Sequence, residues 1–318
     1  MSNRTPIIAI VLPCYNEELA LPKTITTLVD ILGLLIDKGQ ISPESYILCS
    51  NDGSKDATWC VINELHSQDK RIKGISLAHN RGHQNALLAG LMTVKDNCDA
   101  AISIDADLQD DPQAIVNMVE SFISGKEIVY GVRSSRATDT WFKRTTAHGF
   151  YSFQKIMGLE TVFDHADYRL MSNRALHLLS EYGESNLFLR GIIPQIGLET
   201  SIVTYERKER IAGESKYPLS KMLSFSIDGI TSFSAKPIRL IFMIGLIMLL
   251  IDIIVGIYVL ISYFSHSSIS GWASIMLSIW FLGSLILMSI GIVGEYIGKI
   301  FIEVKQRPRY AIKETLLD

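Results

Sequence analysis

Hydrophobic residues in the first 130 positions follow two alternating patterns. Short apolar, β-rich runs occupy positions 7–12, 46–50, 72–77, 100–104 and 128–130. The longer segments between them place apolar residues at helical spacing, as in segment 18–37 with Leu21, Ile25, Leu28 and Leu32. Strands that alternate with helices predict a doubly wound α/β domain with a mainly parallel sheet and helices on both faces. Ligands of such domains bind beyond the carboxyl ends of the strands.

The pattern becomes less regular after residue 130. We predict helices at 140–157, 173–182 and 187–196, and strands at 168–171 and 199–205. Residues 217–234 are amphipathic, with apolar positions such as Leu219, Phe225 and Phe233 between polar ones. Because this segment directly precedes a long apolar run, we expect it to lie in the plane of a membrane interface.

Two long apolar runs follow, at 238–264 and 272–297. Each exceeds the roughly 20 residues needed to cross ~30 Å of hydrocarbon, whereas buried core helices are usually shorter and carry a polar face. Lys and Arg residues flank the outer ends of the two runs, and the loop at 265–271 has none. The positive-inside rule therefore predicts a multi-pass protein of the cytoplasmic membrane with both termini in the cytoplasm.

These patterns predict four regions along the chain. They are a cytoplasmic α/β domain at 1–215, an amphipathic segment at 216–236, two transmembrane helices within 237–299, and a cytoplasmic tail at 300–318. Small residues in the second run, including Gly291 and Gly294, would permit helix association in a homo-oligomer.

Composition and standard motifs exclude several function classes. The net charge is −3 and no basic stripe is present, which gives no indication of nucleic-acid binding. The four cysteines lack metal-site spacing and are expected to be reduced, largely buried side chains. Neither a G-x-G-x-x-G motif nor a G-x-x-x-x-G-K-[ST] motif occurs, so dinucleotide redox chemistry and P-loop hydrolysis do not fit.

Polar clusters follow four of the predicted strands, at 13–17, 51–56, 79–82 and 105–107. Each cluster alone is compatible with ordinary turn chemistry. Because the carboxyl ends of parallel strands meet at one edge of a sheet, the four together predict a polar crevice. His79 and His83 lack a third ligand at metal spacing and are assigned no metal role.

The segment 102–109 carries the strongest chemical signal, because a buried run ends in Asp105 and Asp107 with Gln109 two positions further. Oxygen ligands suit Mg²⁺ or Mn²⁺, and two carboxylates at i and i+2 can share one ion and a diphosphate. The alternative is a turn with solvated acids. A base and ribose would then be held near Pro13, Tyr15, Glu17 and Asp52.

The motifs Pro-x-Tyr-Asn-Glu at 13–17, Asp-Gly-Ser at 52–54 and Asp-x-Asp-x-Gln at 105–109 resemble those of family 2 glycosyltransferases with the GT-A fold. The later motifs, at 167–170, 188–191 and 210–217, are similar to those of polyprenyl-phosphate glycosyltransferases. The likeness is strongest to bacterial bactoprenol glucosyltransferases and weaker to dolichyl-phosphate mannose synthases. Asn51 stands where the family usually has a first Asp. The Gln-x-x-Arg-Trp signature of processive synthases is absent, which favours transfer of a single sugar.

The resemblance implies a membrane-anchored, inverting enzyme that moves one hexose from a nucleotide sugar to polyprenyl (undecaprenyl) phosphate. Glucose from UDP-glucose is the first candidate. Mannose, N-acetylglucosamine or an aminosugar is the alternative, and a non-catalytic membrane scaffold is another.

The resemblance also implies roles for individual residues. Asp107, with Asp105 and Gln109, would hold the metal and stabilise the leaving diphosphate. Asp167 matches the position credited with catalysis in the family, as a base or as an orienting group. A phosphate monoester has a second pKa of about 6 and is mostly deprotonated at neutral pH, so a base has little to remove. The acceptor phosphate would contact Arg169, Arg190, Arg210, Ser215 and Lys216.

Overall fold

The computed structural model describes residues 4–133, 165–184, 188–206 and 271–318, with isolated positions between 238 and 257. Elements are numbered along the chain over these residues. The strands are β1 (Ile8–Cys14), β2 (Tyr46–Asn51), β3 (Ile72–Leu77), β4 (Ala100–Ser103), β5 (Ile128–Arg133), β6 (His165–Ser172), β7 (Thr200–Tyr205) and β8 (Ile312–Leu316). The helices are α1 (Leu21–Asp37), α2 (Thr58–Gln68), α3 (His83–Val94), α4 (Ala114–Ile123), α5 (Asn173–Glu181), α6 (Leu189–Gln195) and α7 (Trp272–Val304).

The strands form one sheet in the order β7-β5-β6-β4-β1-β2-β3-β8. Strand β1 pairs in parallel with both β2 and β4, so the chain winds outward from β1 in two directions. Strand β6 runs antiparallel between β4 and β5, and β8 runs antiparallel to β3. The predicted α/β class with a mainly parallel sheet is therefore confirmed.

Helices cover both faces of the sheet. Side chains alternate along each strand, and the buried apolar residues on both faces pack against helices. Ile8, Ile10 and Leu12 of β1 point into one apolar core, which they share with α1 and α4. Val11 points to the opposite face, where α3 packs. A Cβ on Gly90 of α3 would lie 2.4 Å from Cγ1 of Val11, so the glycine permits this close approach. This packing fixes the start of α3 relative to the carboxyl ends of β1 and β2.

Strand β8 is the element that the sequence did not indicate, since it lies within the tail predicted at 300–318. It pairs with β3 at the edge of the sheet, and Glu314 accepts a hydrogen bond from Nε1 of Trp59 at 2.9 Å. Lys73 of β3 donates a hydrogen bond to the carbonyl of Leu317 at 2.7 Å. A short, polar edge strand has no clear apolar alternation, so periodicity alone does not reveal it.

Helix α7 belongs to a second compact unit of the chain. Within the described residues, one stretch is long and apolar enough to cross a membrane, at Phe281–Val304. The first predicted span, at 238–264, lies mostly outside the described residues, as do the predicted helix at 140–157 and the amphipathic segment at 217–234. The structure therefore provides one candidate span where the sequence predicts two.

Candidate active site

The loop after β2 is fastened to the start of α3 through Asp52. Its Oδ1 accepts a hydrogen bond from the backbone N–H of Arg81 at 2.7 Å, and its Oδ2 accepts one from Gly82 at 2.8 Å. Burial raises the pKa of Asp52, and these two hydrogen bonds oppose that rise. Gly53 has a φ of +62°, and a Cβ there would lie 2.7 Å from the carbonyl carbon of His79. Both oxygens of Asp52 thus serve the local fold, and a nucleotide would have to share them.

Two asparagine side chains organise the loops after β1 and β2. Asn16 has a φ of 55°, and its Oδ1 accepts a hydrogen bond from the backbone N–H of Lys55 at 2.9 Å. Oδ1 of Asn51 accepts from Oγ of Ser54 at 2.6 Å, and its Nδ2 donates to Oγ of Ser76 at 2.9 Å. An aspartate at position 51 would lack that donor. The departure from Asp-Asp-Gly-Ser is thus accompanied by a hydrogen bond that a carboxylate cannot donate.

Three residues predicted to hold the nucleotide lie at the end of β1. Pro13 is buried within the strand, Glu17 is partly buried and Tyr15 is exposed. The backbone N–H of Glu17 donates a hydrogen bond to Oγ1 of Thr58 at 2.8 Å, which holds this loop against the start of α2. Tyr15 is therefore the most accessible of the three side chains.

The loop after β4 carries the predicted metal ligands Asp105, Asp107 and Gln109. Oγ1 of Thr24, on α1, donates a hydrogen bond to the carbonyl of Ala106 at 2.6 Å. The backbone N–H of Gln109 donates to Oδ1 of Asp107 at 3.2 Å. These contacts fix the loop, and Asp105 and Asp107 remain partly accessible at the carboxyl end of β4.

Negative charge accumulates around Asp105, whose side chain is 38% exposed. Burial raises the pKa of Asp105 to about 6; His83 opposes the rise, and the carboxylates of Asp167, Asp110 and Asp107 add to it. Within the described residues, no three His, Cys, Asp or Glu side chains form a group suited to a metal. Gln109 is buried, whereas Asp105 and Asp107 are partly accessible, so the two carboxylates are the accessible ones of the three predicted ligands.

Asp110, which sequence reasoning did not single out, is buried behind this loop. It accepts hydrogen bonds from Nε of Arg133 at 3.0 Å and from Oη of Tyr205 at 2.8 Å. Oη of Tyr168 donates to the carbonyl of Asp111 at 3.1 Å. Arg133 and Tyr205 end neighbouring strands β5 and β7, so Asp110 ties the loop after β4 to that side of the sheet. Its sequence signal is weak, because acids before a proline are common in turns.

Asp167, the predicted catalytic residue, lies on β6 beside the metal loop. The antiparallel register pairs Ser103 of β4 with Arg169, which brings the end of β4 alongside Asp167. Nη2 of Arg169 donates to Oδ1 of Asp167 at 2.5 Å, and Nη2 of Arg190 donates to Oδ2 at 3.1 Å. Oγ of Ser103 donates to the backbone carbonyl of Asp167 at 2.5 Å.

The two guanidinium groups dominate the electrostatics of Asp167. Burial alone would raise its pKa, but Arg169 and Arg190 outweigh that effect and hold the pKa well below its ordinary range. Arg169 is 1% exposed, and within the described residues its Nε and Nη1 have no hydrogen-bond partner. The side chain of Arg190 is 42% exposed. Arg190 is therefore accessible from outside, whereas Arg169 supports Asp167 from inside the protein.

The first turn of α3 contributes two residues to which the sequence analysis gave no role. Nε2 of His83 lies 3.6 Å from Oδ1 of Asp105 and 3.7 Å from Oδ2 of Asp167. Nε2 of Gln84 lies 3.4 Å from Oδ2 of Asp167, and its Oε1 accepts a hydrogen bond from the backbone N–H of Leu189 at 3.0 Å. In the sequence, only the position of His83 and Gln84 directly after the polar cluster that follows β3 points to the site.

The structure brings most of the predicted site to one edge of the sheet. The loop at 105–109 lies beside the cluster of Asp167, Arg169 and Arg190, since His83 is within 4 Å of both Asp105 and Asp167. Three residues predicted to contact the acceptor, Arg210, Ser215 and Lys216, lie outside the described residues.

Comparison with known proteins gives consistent matches along the chain. The family model for glycosyl transferase family 2 matches residues 9–179. An uncharacterized glycosyltransferase of Bacillus subtilis, YkoT, is 50% identical over 98% of this chain and 93% of that protein. The bactoprenol glucosyl transferase of Shigella phage SfV is 38% identical over 96% of this chain and 98% of that protein. A solved glucosyl-3-phosphoglycerate synthase from Mycobacterium tuberculosis has 17% identity and a TM-score of 0.44, over 73% of this chain and 79% of that one. The sequence matches thus extend well beyond the α/β domain.

Proposed function

Because this chain belongs to glycosyl transferase family 2, we propose that it transfers one hexose from a nucleotide sugar to a polyprenyl phosphate. The family resemblance predicted from the motifs is confirmed by the match to the family model. One observation carries the acceptor class: a bactoprenol glucosyl transferase is 38% identical over nearly the whole chain. UDP-glucose is the proposed donor, and another nucleotide sugar is the alternative.

The donor half of the site is proposed to lie at the loop after β4. Asp105, Asp107 and Gln109 supply oxygen atoms, and the crowded carboxylates around Asp105 fit a bound divalent cation, Mg²⁺ or Mn²⁺. When bound, the ion would neutralise charge on the leaving diphosphate. We propose that the exposed ring of Tyr15 contacts the base, together with the half-buried Glu17 of the same loop.

The acceptor half is proposed to lie around Asp167 and Arg190. A phosphate monoester is largely dianionic at neutral pH and needs no proton removed before it attacks. The accessible guanidinium of Arg190 can bind phosphate oxygens, while Asp167 keeps that guanidinium oriented. A carboxylate held ionised by two arginines is a poor proton acceptor, so we assign Asp167 to orientation rather than to general-base catalysis.

We propose that Arg169 supports Asp167 and does not contact the acceptor phosphate, although the motifs alone would imply that contact. Its 1% exposure leaves no surface for a lipid phosphate, which disfavours direct contact with the acceptor. Its contact with Asp167 instead makes it the charge partner that keeps this carboxylate ionised. Arg210, Ser215 and Lys216 remain proposed acceptor contacts on the strength of the motif alone.

Membrane attachment is part of the same proposal, since a polyprenyl phosphate is delivered by a membrane. The stretch Phe281–Val304 exposes apolar side chains such as Leu287 and Val304, as a membrane-spanning helix does. We propose that the chain spans the cytoplasmic membrane twice, with its catalytic domain on the cytoplasmic side and homo-oligomer formation through the spans.

The test is a transfer assay with the full chain in detergent. Polyprenyl phosphate is offered with labelled UDP-glucose, UDP-N-acetylglucosamine or GDP-mannose, with Mg²⁺ or Mn²⁺ and then with a chelator. We expect label in the lipid fraction from one donor, lost with the chelator and reduced at least about 100-fold in Asp107→Asn. Asp96→Asn, at an exposed acid away from the site, is the matched control. Nucleotide binding without transfer from any donor would instead favour the scaffold alternative.

A further inference from the structure

The first turn of α3 lies between the donor and acceptor halves of the site. Its entry is held by Asp52, which accepts hydrogen bonds from the backbone of Arg81 and Gly82. The next two side chains, His83 and Gln84, reach toward Asp167. The start of this helix therefore contacts both Asp52, on the proposed donor side, and Asp167, on the proposed acceptor side.

Gln84 makes the more specific of these contacts. Its Nε2 is 3.4 Å from Oδ2 of Asp167, and its Oε1 accepts the backbone N–H of Leu189 at 3.0 Å. Leu189 begins α6, where the preceding Phe188 makes no side-chain cap hydrogen bond. The first N–H groups of a helix lack partners within it, so Gln84 supplies from α3 a cap that α6 lacks locally.

Arg190 is the next residue along α6 and donates to the same carboxylate oxygen, Oδ2 of Asp167, at 3.1 Å. The side chain of Gln84 thus contacts Asp167 directly and holds the backbone of Leu189, the residue that precedes Arg190. Gln84 and Leu189 are 105 positions apart in the sequence, so this hydrogen bond forms only when the fold brings α3 and α6 together.

We propose that Gln84 is a positioning residue, which sets Arg190 and Asp167 for the acceptor phosphate while α3 is held by the donor-side loop. This inference rests on the proposed function, because it needs an anionic acceptor at Arg190. An amide suits the position because it both donates and accepts a hydrogen bond. Glutamate would keep an acceptor for Leu189 but lose the donor toward Asp167 and place two carboxylates together.

The experiment compares Gln84→Leu and Gln84→Glu with the wild-type enzyme, and Gln68→Ala serves as a control at an exposed glutamine of α2. The transfer assay gives kcat and the KM values for polyprenyl phosphate and for the nucleotide sugar separately. We expect the acceptor KM to rise about tenfold in Gln84→Leu, as for loss of one hydrogen bond to a charged network, with the donor KM unchanged. Gln84→Glu is expected to raise the acceptor KM further, because its carboxylate opposes an anionic ligand.

Hydrogen exchange tests the role of Gln84 independently of sugar transfer. Hydrogen exchange at the Leu189 amide should accelerate at least about tenfold in Gln84→Leu and stay near wild type in Gln84→Glu, which retains an acceptor. Equal changes in donor and acceptor KM, or unchanged kinetics and exchange, would overturn the proposal. If the wild-type enzyme transfers no sugar, the proposed function fails, and the exchange result still decides whether Gln84 caps α6. Should Gln84→Leu fail to fold, Gln84→Glu supplies the kinetic test.

Discussion

Replacing Asp167 with asparagine removes the charge that two arginines share while keeping the shape of the side chain. Asp167 is 7% exposed and Arg169 is 1% exposed, so this pair is screened little by water. Arg190 is 42% exposed, and its share of the interaction is small by comparison. The variant therefore leaves the buried charge of Arg169 without a counterion.

Removing one partner of a buried ion pair costs about 3–5 kcal/mol, because the other charge stays buried. Asparagine keeps one carbonyl oxygen that can accept from Arg169, so we place the loss for Asp167→Asn near the lower end, at about 3 kcal/mol. For a domain of this size that corresponds to a fall of roughly 6–12 °C in Tm. Arg169→Met, which removes the buried charge itself, should partly restore stability in the double variant.

The pH dependence of this stability loss follows from the direction in which the pKa of Asp167 is shifted. The pKa of Asp167 is lowered in the folded protein, so its stabilising contribution is present above its unfolded value of about 3.9 and is lost as the pH falls toward the folded value. The gap in Tm between wild type and Asp167→Asn should hence be constant from about pH 6 to 8 and shrink below about pH 4. Thermal unfolding of the full chain in detergent, followed by tryptophan fluorescence, measures it. A Tm within about 1 °C of wild type, or a gap that varies between about pH 6 and 8, would refute the reasoning.

Two further substitutions, each paired with a comparison variant, test the loops that frame the site. Gly53→Ala forces a side chain into a left-handed conformation and against neighbouring backbone, and we expect a loss of at least about 2 kcal/mol in thermal unfolding. Gly183→Ala, with no atom within 4 Å of the added Cβ and no positive φ, should change stability little; an equal loss there would contradict this explanation. Asp110→Ala removes the buried partner of Arg133 and Tyr205, with an expected loss of about 3 kcal/mol. Tyr205→Phe should cost only about 1 kcal/mol, and the same loss in both variants would argue against the ion pair as the main contribution.

The sequence predicted the parts of the fold in which local pattern and tertiary packing agree. Apolar runs such as 46–50 and 72–77 became β2 and β3 with little change in bounds, because their β-branched and apolar residues suit buried strands. Strand β8 escaped prediction, since an edge strand is stabilised by pairing with β3 rather than by its own periodicity. Pairing partners far apart in sequence are not visible to a pattern read along the chain.

The candidate site likewise contains residues that local spacing predicts and residues whose roles depend on long-range contacts. The spacing of Asp105 and Asp107 after a strand was sufficient to predict their common loop. Contacts of Asp110 and Gln84 depend on which strands and helices become neighbours, and each joins segments that are distant in sequence. Arg169 was expected at the acceptor because arginine suits phosphate. It lies on the same face of β6 as Asp167 but two residues further into the sheet, opposite Ser103, where it is buried.

The charge at Asp167 also bears on the kind of acceptor that fits this site. A sugar or protein hydroxyl would need a base whose pKa lies near neutral pH, and Asp167 is held far below that by Arg169 and Arg190. A phosphate needs no such base but does need a cation at the point of attack, which the exposed guanidinium of Arg190 can supply. The loop after β4 has the opposite balance, with the carboxylates of Asp105 and Asp107 in excess, which agrees with the proposal that a cation accompanies a diphosphate there. A site with this polarity favours an acceptor that arrives already ionised, which is the chemistry of a lipid phosphate.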